Sequence, residues 1–266
     1  MIAKTFLTLI FVLLFAALVH SQESKRGEIF TPRTYWGISI VPEIIKKGQI
    51  DGDPAKYKLS SAPQPGGEAL INYYYNFERN FTFVLSAGAA LLVHDFNYEI
   101  PKNLFNPRGG TSVSFNPVGP IKMSSGYLKA QAELQSILHK MKNKNWFGGI
   151  GLSVLYPIQG GDEYSAGIFW GSNSQSVEEY VLIQFQNYQH KPSLNFHITA
   201  GHEWILRNKS LIQVALKLNY CPVNIAMATY TFKEGSQPEE SGRYKISSTA
   251  VGLSMSYILA KKKRIE

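Results

Sequence analysis

The stretch Tyr127-Leu-Lys-Ala-Gln-Ala-Glu-Leu-Gln-Ser-Ile-Leu138 decides the fold. Its Ala, Leu, Glu, Gln and Lys are strong helix formers, so composition alone points to a helix. The spacing points elsewhere. Leu128, Ala130, Ala132 and Leu134 alternate with Lys129, Gln131, Glu133 and Gln135. A period of two places each set on one face of a β-strand, whereas a helix would scatter both around its circumference.

The same period recurs on both sides of this stretch in segments of about ten residues. Trp36, Ile38 and Ile40 share a face opposite Gly37 and Ser39. Ala69, Ile71, Tyr73, Tyr75 and Phe77 oppose Asn72, Tyr74 and Asn76, and after a short turn Phe81, Phe83, Leu85, Ala87, Ala89 and Leu91 oppose Thr82, Ser86 and Gly88. Further along, the alternation runs through 146–156, 194–205, 211–220 and 247–259. That makes eight strands, and the chain is all-β.

Which face meets water separates a soluble barrel or sandwich from a membrane barrel, because both alternate. A soluble barrel turns its apolar face inward and hydrates the outside with Lys, Glu, Arg and Asp. Within these eight segments the expected charges are only Lys129, Glu133, Glu203 and Lys217. Their polar faces are otherwise Gly, Ser, Asn and Gln, small enough to fill a narrow lumen. The apolar faces are then expected to meet hydrocarbon, giving an eight-stranded antiparallel up-and-down transmembrane β-barrel.

Connection lengths support that topology. Links at 78–80, 139–145 and 206–210 are short, and those at 45–66, 95–125, 158–193 and 221–244 are long, in strict alternation. The short ones are expected as periplasmic turns and the four long ones as outer loops. Tyr180 to Phe185 also looks strand-like, but a ninth spanning strand would reverse the sides, so it is assigned to an ordered extension of the third outer loop. Trp36, Tyr75, Phe77, Phe81, Trp146, Trp204 and Tyr257 all fall at the short-turn end, where amphipathic rings form a girdle between hydrocarbon and head groups.

The chain of 266 residues has 27 Lys and Arg, 19 Asp and Glu, one cysteine and a mean hydropathy of -0.12. Beyond residue 21 no apolar run reaches the roughly 18 residues of a spanning helix. Residues 1–21 read as a secretory signal peptide, with Lys4 ahead of the apolar run Phe6 to Val19 and cleavage expected between Ser21 and Gln22. Residues 22–266 are then the barrel domain. A lone Cys221 excludes an intramolecular disulfide framework and the zinc sites built on several thiolates. The positive charge is read as meeting anionic lipid rather than nucleic acid, since the Lys and Arg concentrate in loops and tail.

The chain resembles the small outer-membrane β-barrel proteins common in Bacteroidota, and broadly the eight-stranded barrels of the OmpX and OmpA transmembrane type. The resemblance rests on the leader end Ser21-Gln22, on Thr34-Tyr-Trp-Gly-Ile-Ser-Ile40, on Gly201-His-Glu-Trp204 and on Gly252-Leu-Ser-Met-Ser-Tyr257. It implies an outer-membrane address and this fold, and little about activity. A barrel of that type ends on an aromatic residue, whereas this chain runs on from Tyr257 through Lys261, Lys262, Lys263 and Arg264 to Glu266.

Some barrels of this size are lipid A deacylases or acyltransferases that use His with Ser and a carboxylate. The candidates here are His197, Thr199 and Glu203 on one face, with His202 on the other. No catalytic motif surrounds them. The expected arrangement is a lumen polar network of Lys129, Glu133, His197, Glu203 and Lys217, with Glu203 pairing with Lys217 or its neighbours, because charges in a narrow lumen must be neutralised locally. Such a network plugs the barrel, so no diffusion pore is expected.

Asp51-Gly-Asp53 lacks the later ligands of a calcium loop, Gly160-Gly-Asp-Glu163 and Gly109-Gly110 read as turns, and neither metal nor cofactor is expected. Cys221 reads as a small apolar residue at the barrel mouth. Phe96, Tyr98, Phe105 and Phe115 in the second long loop, and Tyr164, Phe169 and Trp170 in the third, are read as loop packing or a ligand surface. The expected task is structural or surface-binding through these loops. Its partners would be outer-membrane lipid and lipopolysaccharide, with a surface ligand or envelope protein as a further possibility. A lipid A-modifying enzyme is the alternative.

Overall fold

In the computed structural model the described residues are 34–52, 58–77, 80–99, 118–141, 144–158, 164–173, 176–233 and 240–259, with 118–120, 164–173, 176–189 and 233 described by backbone alone. Fourteen strands follow in chain order: β1 (Thr34–Ile45), β2 (Gln49–Asp51), β3 (Lys58–Ser60), β4 (Gln64–Asn76), β5 (Phe81–Glu99), β6 (Val118–Lys140), β7 (Lys144–Pro157), β8 (Tyr164–Asn173), β9 (Ser176–His190), β10 (Ser193–Ile205), β11 (Leu211–Tyr220), β12 (Ala226–Lys233), β13 (Glu240–Ile246) and β14 (Ala250–Ile258).

Eight of them, β1, β4, β5, β6, β7, β10, β11 and β14, form a closed antiparallel cylinder in which β5 pairs with β6 and β1 with β14. Closure removes every sheet edge along the wall and satisfies its backbone hydrogen bonds within the chain. The alternation read from the sequence maps onto the two faces. Along β1, Trp36, Ile38, Ile40 and Ile44 are 58%, 61%, 56% and 56% exposed, while Ser39 and Glu43 are 6% and 4%. From Trp36 to Ile44 is roughly 26 Å along the strand, or about 20 Å of height at a typical barrel tilt. Leu85, Leu91, Leu128, Leu152, Val154, Leu194, Leu216, Leu218, Val251 and Leu253 continue the exposed apolar belt around the cylinder.

The strands extend further than the sequence suggests. β1 runs past Val41 to Ile45, β5 reaches Glu99, and β6 begins at Val118 rather than near 126. Arms that leave the apolar belt keep their ladder, because a paired backbone needs no other partner. The long connections also hold structure: β2, β13, β12, β9 and β8 make a second antiparallel sheet, and β3 adds to the extended arm of β5. Tyr180 to Phe185 lies in β9 of this outer sheet, not in the cylinder. A bulge between Ile137 and His139 ends the regular alternation of β6.

Two apolar cores close the ends. At the short-turn end Tyr35, Tyr74, Val84, Leu211 and Ile258 fill the lumen, with Tyr35 and Tyr74 stacked at 5.3 Å between ring centroids. At the other end Phe96, Ile121, Tyr127, Leu155, Tyr230, Phe232 and Tyr244 are among the residues that form a larger core between the outer sheet and the arms of β5 and β6. Cys221 is buried in this core.

Candidate functional site

Between the two apolar ends the inward residues are polar, and they form two connected tiers. In the upper tier Glu68 of β4 lies between two cations: Lys129 of β6 donates to one carboxylate oxygen, and Lys217 Nζ of β11 donates to the other at 2.8 Å. Lys217 also donates to Gln131 Oε1 at 3.0 Å. Asn219 Nδ2 donates to Glu43 Oε1 at 2.5 Å and to Glu68 Oε1 at 3.4 Å. Two carboxylates and two ammonium groups thus face one another in a space with almost no water contact, the condition under which buried charges persist.

In the lower tier Glu133 accepts from Thr199 Oγ1 at 2.5 Å and from Gln135 Nε2 at 3.1 Å, and His197 Nε2 lies 3.2 Å from its second oxygen. Gln213 Nε2 bridges Gln135 Oε1 at 3.4 Å and Glu203 Oε2 at 2.9 Å, and Asn145 Nδ2 donates to Glu203 Oε1 at 3.1 Å. The Gly-rich run of β7 makes the room. A Cβ on Gly149 would overlap the Glu133 carboxylate, and one on Gly151 would stand 2.5 Å from the His197 ring.

All five residues expected in the lumen, Lys129, Glu133, His197, Glu203 and Lys217, are buried on the inner face. Of the two partners expected for Glu203, Lys217 or its neighbours, the structure places the neighbours. Glu203 does not pair with Lys217; it takes hydrogen bonds from two amides, and Lys217 goes to Glu68. Glu43 and Glu68, absent from the expected charges, supply the upper tier. Both lie on strand continuations that Pro42 and Gly66-Gly67 disguise, since proline and paired glycines read as strand ends. The period itself carries the missed signal, because Glu43 continues the inward set Ser39 and Val41, and Glu68 precedes Leu70 and Asn72.

The catalytic alternative finds no support in this geometry. Thr199 and His197 each bond to Glu133, on its two separate oxygens, and His197, Thr199 and Glu203 are sealed from solvent, where no substrate reaches them. Among the described residues no three His, Cys, Asp or Glu side chains converge to hold a metal ion. Asp51 is bound to Lys245 in the outer sheet, and that hydrogen bond holds its carboxyl below the usual carboxylate range. Asp53, Gly109, Gly110, the 160–163 turn, Phe105, Phe115, the leader and the 261–266 tail lie outside the described residues, as do the side chains of Tyr164, Phe169 and Trp170. Phe96 and Tyr98 are buried in the outer core rather than displayed.

On the outer wall aromatic residues ring both ends: Tyr156, Phe196 and Tyr220 are exposed towards the long connections, and a denser set lies towards the short turns. Trp36 packs edge-on against Tyr73 at 5.1 Å, Phe77 stacks on Phe81 at 6.0 Å, and the His202 ring lies 3.7 Å from Trp146 and 5.5 Å from Trp204. Above the opposite end, His94 of the β5 arm is buried, and burial pushes its imidazole down to about 4, against the opposing pull of Asp95 and with the help of His190. Tyr127 Oη and His190 Nδ1 share a hydrogen bond of 2.7 Å nearby.

No family model matches the chain, and no curated protein matches it. Solved structures similar to it include the outer membrane protein OprG from Pseudomonas aeruginosa, at 13% identity and a TM-score of 0.46 over 86% of this chain and 95% of that one. Another is the outer membrane protein AlkL in lipid bilayers, at 13% identity and a TM-score of 0.38 over 88% of this chain and 94% of that one.

Proposed function

We propose that the chain is exported, loses its leader between Ser21 and Gln22, and resides in the outer membrane as a non-conducting barrel whose outer part has a structural or surface-binding role. The exposed apolar belt supports the membrane address: it runs around the whole cylinder, beyond the few hundred square ångströms of contiguous apolar surface typical of a water-soluble monomer. With the belt in hydrocarbon, the short turns face the periplasm and the outer sheet stands above the membrane on a rigid rim, where recognition surfaces are usually carried.

The observation that carries the non-conducting reading is the clamp of Glu68 between Lys129 and Lys217 across the lumen. An ion entering would have to displace ion pairs that have no water to fall back on, and apolar cores stand above and below. Single-molecule conductance of the refolded barrel in a planar bilayer tests this. The expected result is a flat baseline, broken at most by rare transient openings. A steady open channel in the wild-type protein would overturn the reading.

A further inference from the structure

Two histidines of the cylinder point outward rather than into the lumen, where the other polar side chains of the wall gather. The register places His139 of β6 opposite Trp146 of β7, and Trp146 opposite His202 of β10, so the three form a row across adjacent strands. One step nearer the turns, Lys144 lies opposite Trp204. His139, Lys144, Trp146 and Trp204 are exposed and His202 is half-buried with its ring against Trp146. Ionisable groups on the lipid side of a barrel are unfavourable unless they reach head groups. This row sits at the level of the aromatic girdle, where head groups begin.

The surroundings are complementary to an anion. Lys140 and Lys144 flank the β6–β7 turn, and Arg207 and Lys209 are exposed on the β10–β11 turn beside it. Among the described residues no exposed carboxylate lies at this end, since Glu133 and Glu203 are inside the lumen. Directly above the row Gly148 of β7 stands opposite Ala200 of β10, and the exposed Leu138 side chain lies across the buried Gly148. The patch therefore offers imidazole and ammonium donors below, indole rings at the side and the apolar surface of Leu138 and Ala200 above.

We propose that His139, Lys144, Trp146, His202 and Trp204 bind the phosphodiester head group of an anionic glycerophospholipid in the periplasmic leaflet. This rests on the membrane orientation given above. Lys144 and the imidazoles donate charge-assisted hydrogen bonds to the non-bridging phosphate oxygens, the indoles lie along the glycerol region, and an acyl chain runs up over Leu138 and Ala200.

The test uses the full mature barrel refolded into phosphatidylcholine vesicles with a rising fraction of brominated phosphatidylglycerol, whose bromines quench tryptophan. The wild-type barrel should prefer phosphatidylglycerol over brominated phosphatidylcholine several-fold. Lys144→Gln should lower that preference about fivefold, the scale expected for one cation near a charged surface, and Lys144→Arg should keep it. Lys144 is exposed at a hairpin end, so its replacement leaves the fold intact, and heat-modifiable gel mobility verifies this for each variant. His139→Gln with His202→Gln should also reduce the preference.

An inserted wild-type barrel without preference overturns the site and leaves the barrel reading standing. A loss in Lys209→Gln equal to that in Lys144→Gln shows diffuse rim charge only and likewise overturns it. A wild-type chain that does not insert at all overturns both.

Discussion

Glu68 ties three strands of the wall together across the lumen. It is the only carboxylate in the described structure that meets two lysines, and both lie on strands distant from its own. Removing one partner of a buried ionic cluster leaves uncompensated charge in a medium that cannot solvate it. Glu68→Gln should therefore destabilise the folded barrel by about 3–5 kcal/mol, read as a lower urea midpoint for loss of heat-modifiable mobility in vesicles. A change within about 0.5 kcal/mol, typical of a surface substitution, would contradict the account. Residues of this kind are only partly legible in a sequence. Lys129 and Glu133 announce themselves because their neighbours alternate cleanly, whereas Glu43 and Glu68 hide beside Pro42 and Gly66-Gly67. Which carboxylate meets which lysine is not legible at all, because it depends on the shear of a closed cylinder and not on any one strand.

At the level of elements, the alternation located all eight wall strands and sorted their faces, since period two is a local property that each segment carries alone. The outer sheet was not legible as a sheet. β2 is three residues long, and its pairing depends on partners almost two hundred positions away, as in Arg243 opposite Asp51. The place of Trp36, Trp146 and Trp204 towards the short turns follows from residue number along a strand alone. The outer core holds a titration that predicts pH behaviour. His94 is held neutral, with a folded value of about 4 below its ordinary 6.5, so the unfolded chain binds the extra proton between those values. The stabilisation is complete above pH 6.5 and is lost as pH falls towards 4. Denaturation of the outer part should shift to lower urea across that window, and His94→Phe should show a smaller shift. An identical shift in the variant would place the titration elsewhere.

For the whole molecule the question is what touches the outside of the cylinder. Ile40 lies in the middle of the exposed belt, flanked by Ile38 and by Pro42 and Ile44. Against hydrocarbon, Ile40→Arg should cost about 2–4 kcal/mol of stability in vesicles, whereas on a hydrated wall the same change would fall within about 0.5 kcal/mol. The distribution of charge agrees with the first case, because the cations and carboxylates of the wall strands are inside or at the rims. The most direct measurement compares the purified mature chain, diluted out of urea, in lipid vesicles and in plain buffer by gel mobility and sedimentation. The predicted result is a compact, heat-modifiable species only where lipid or detergent is present, with aggregation in plain buffer. A folded monomer that stays soluble without either would contradict a wall bathed in hydrocarbon.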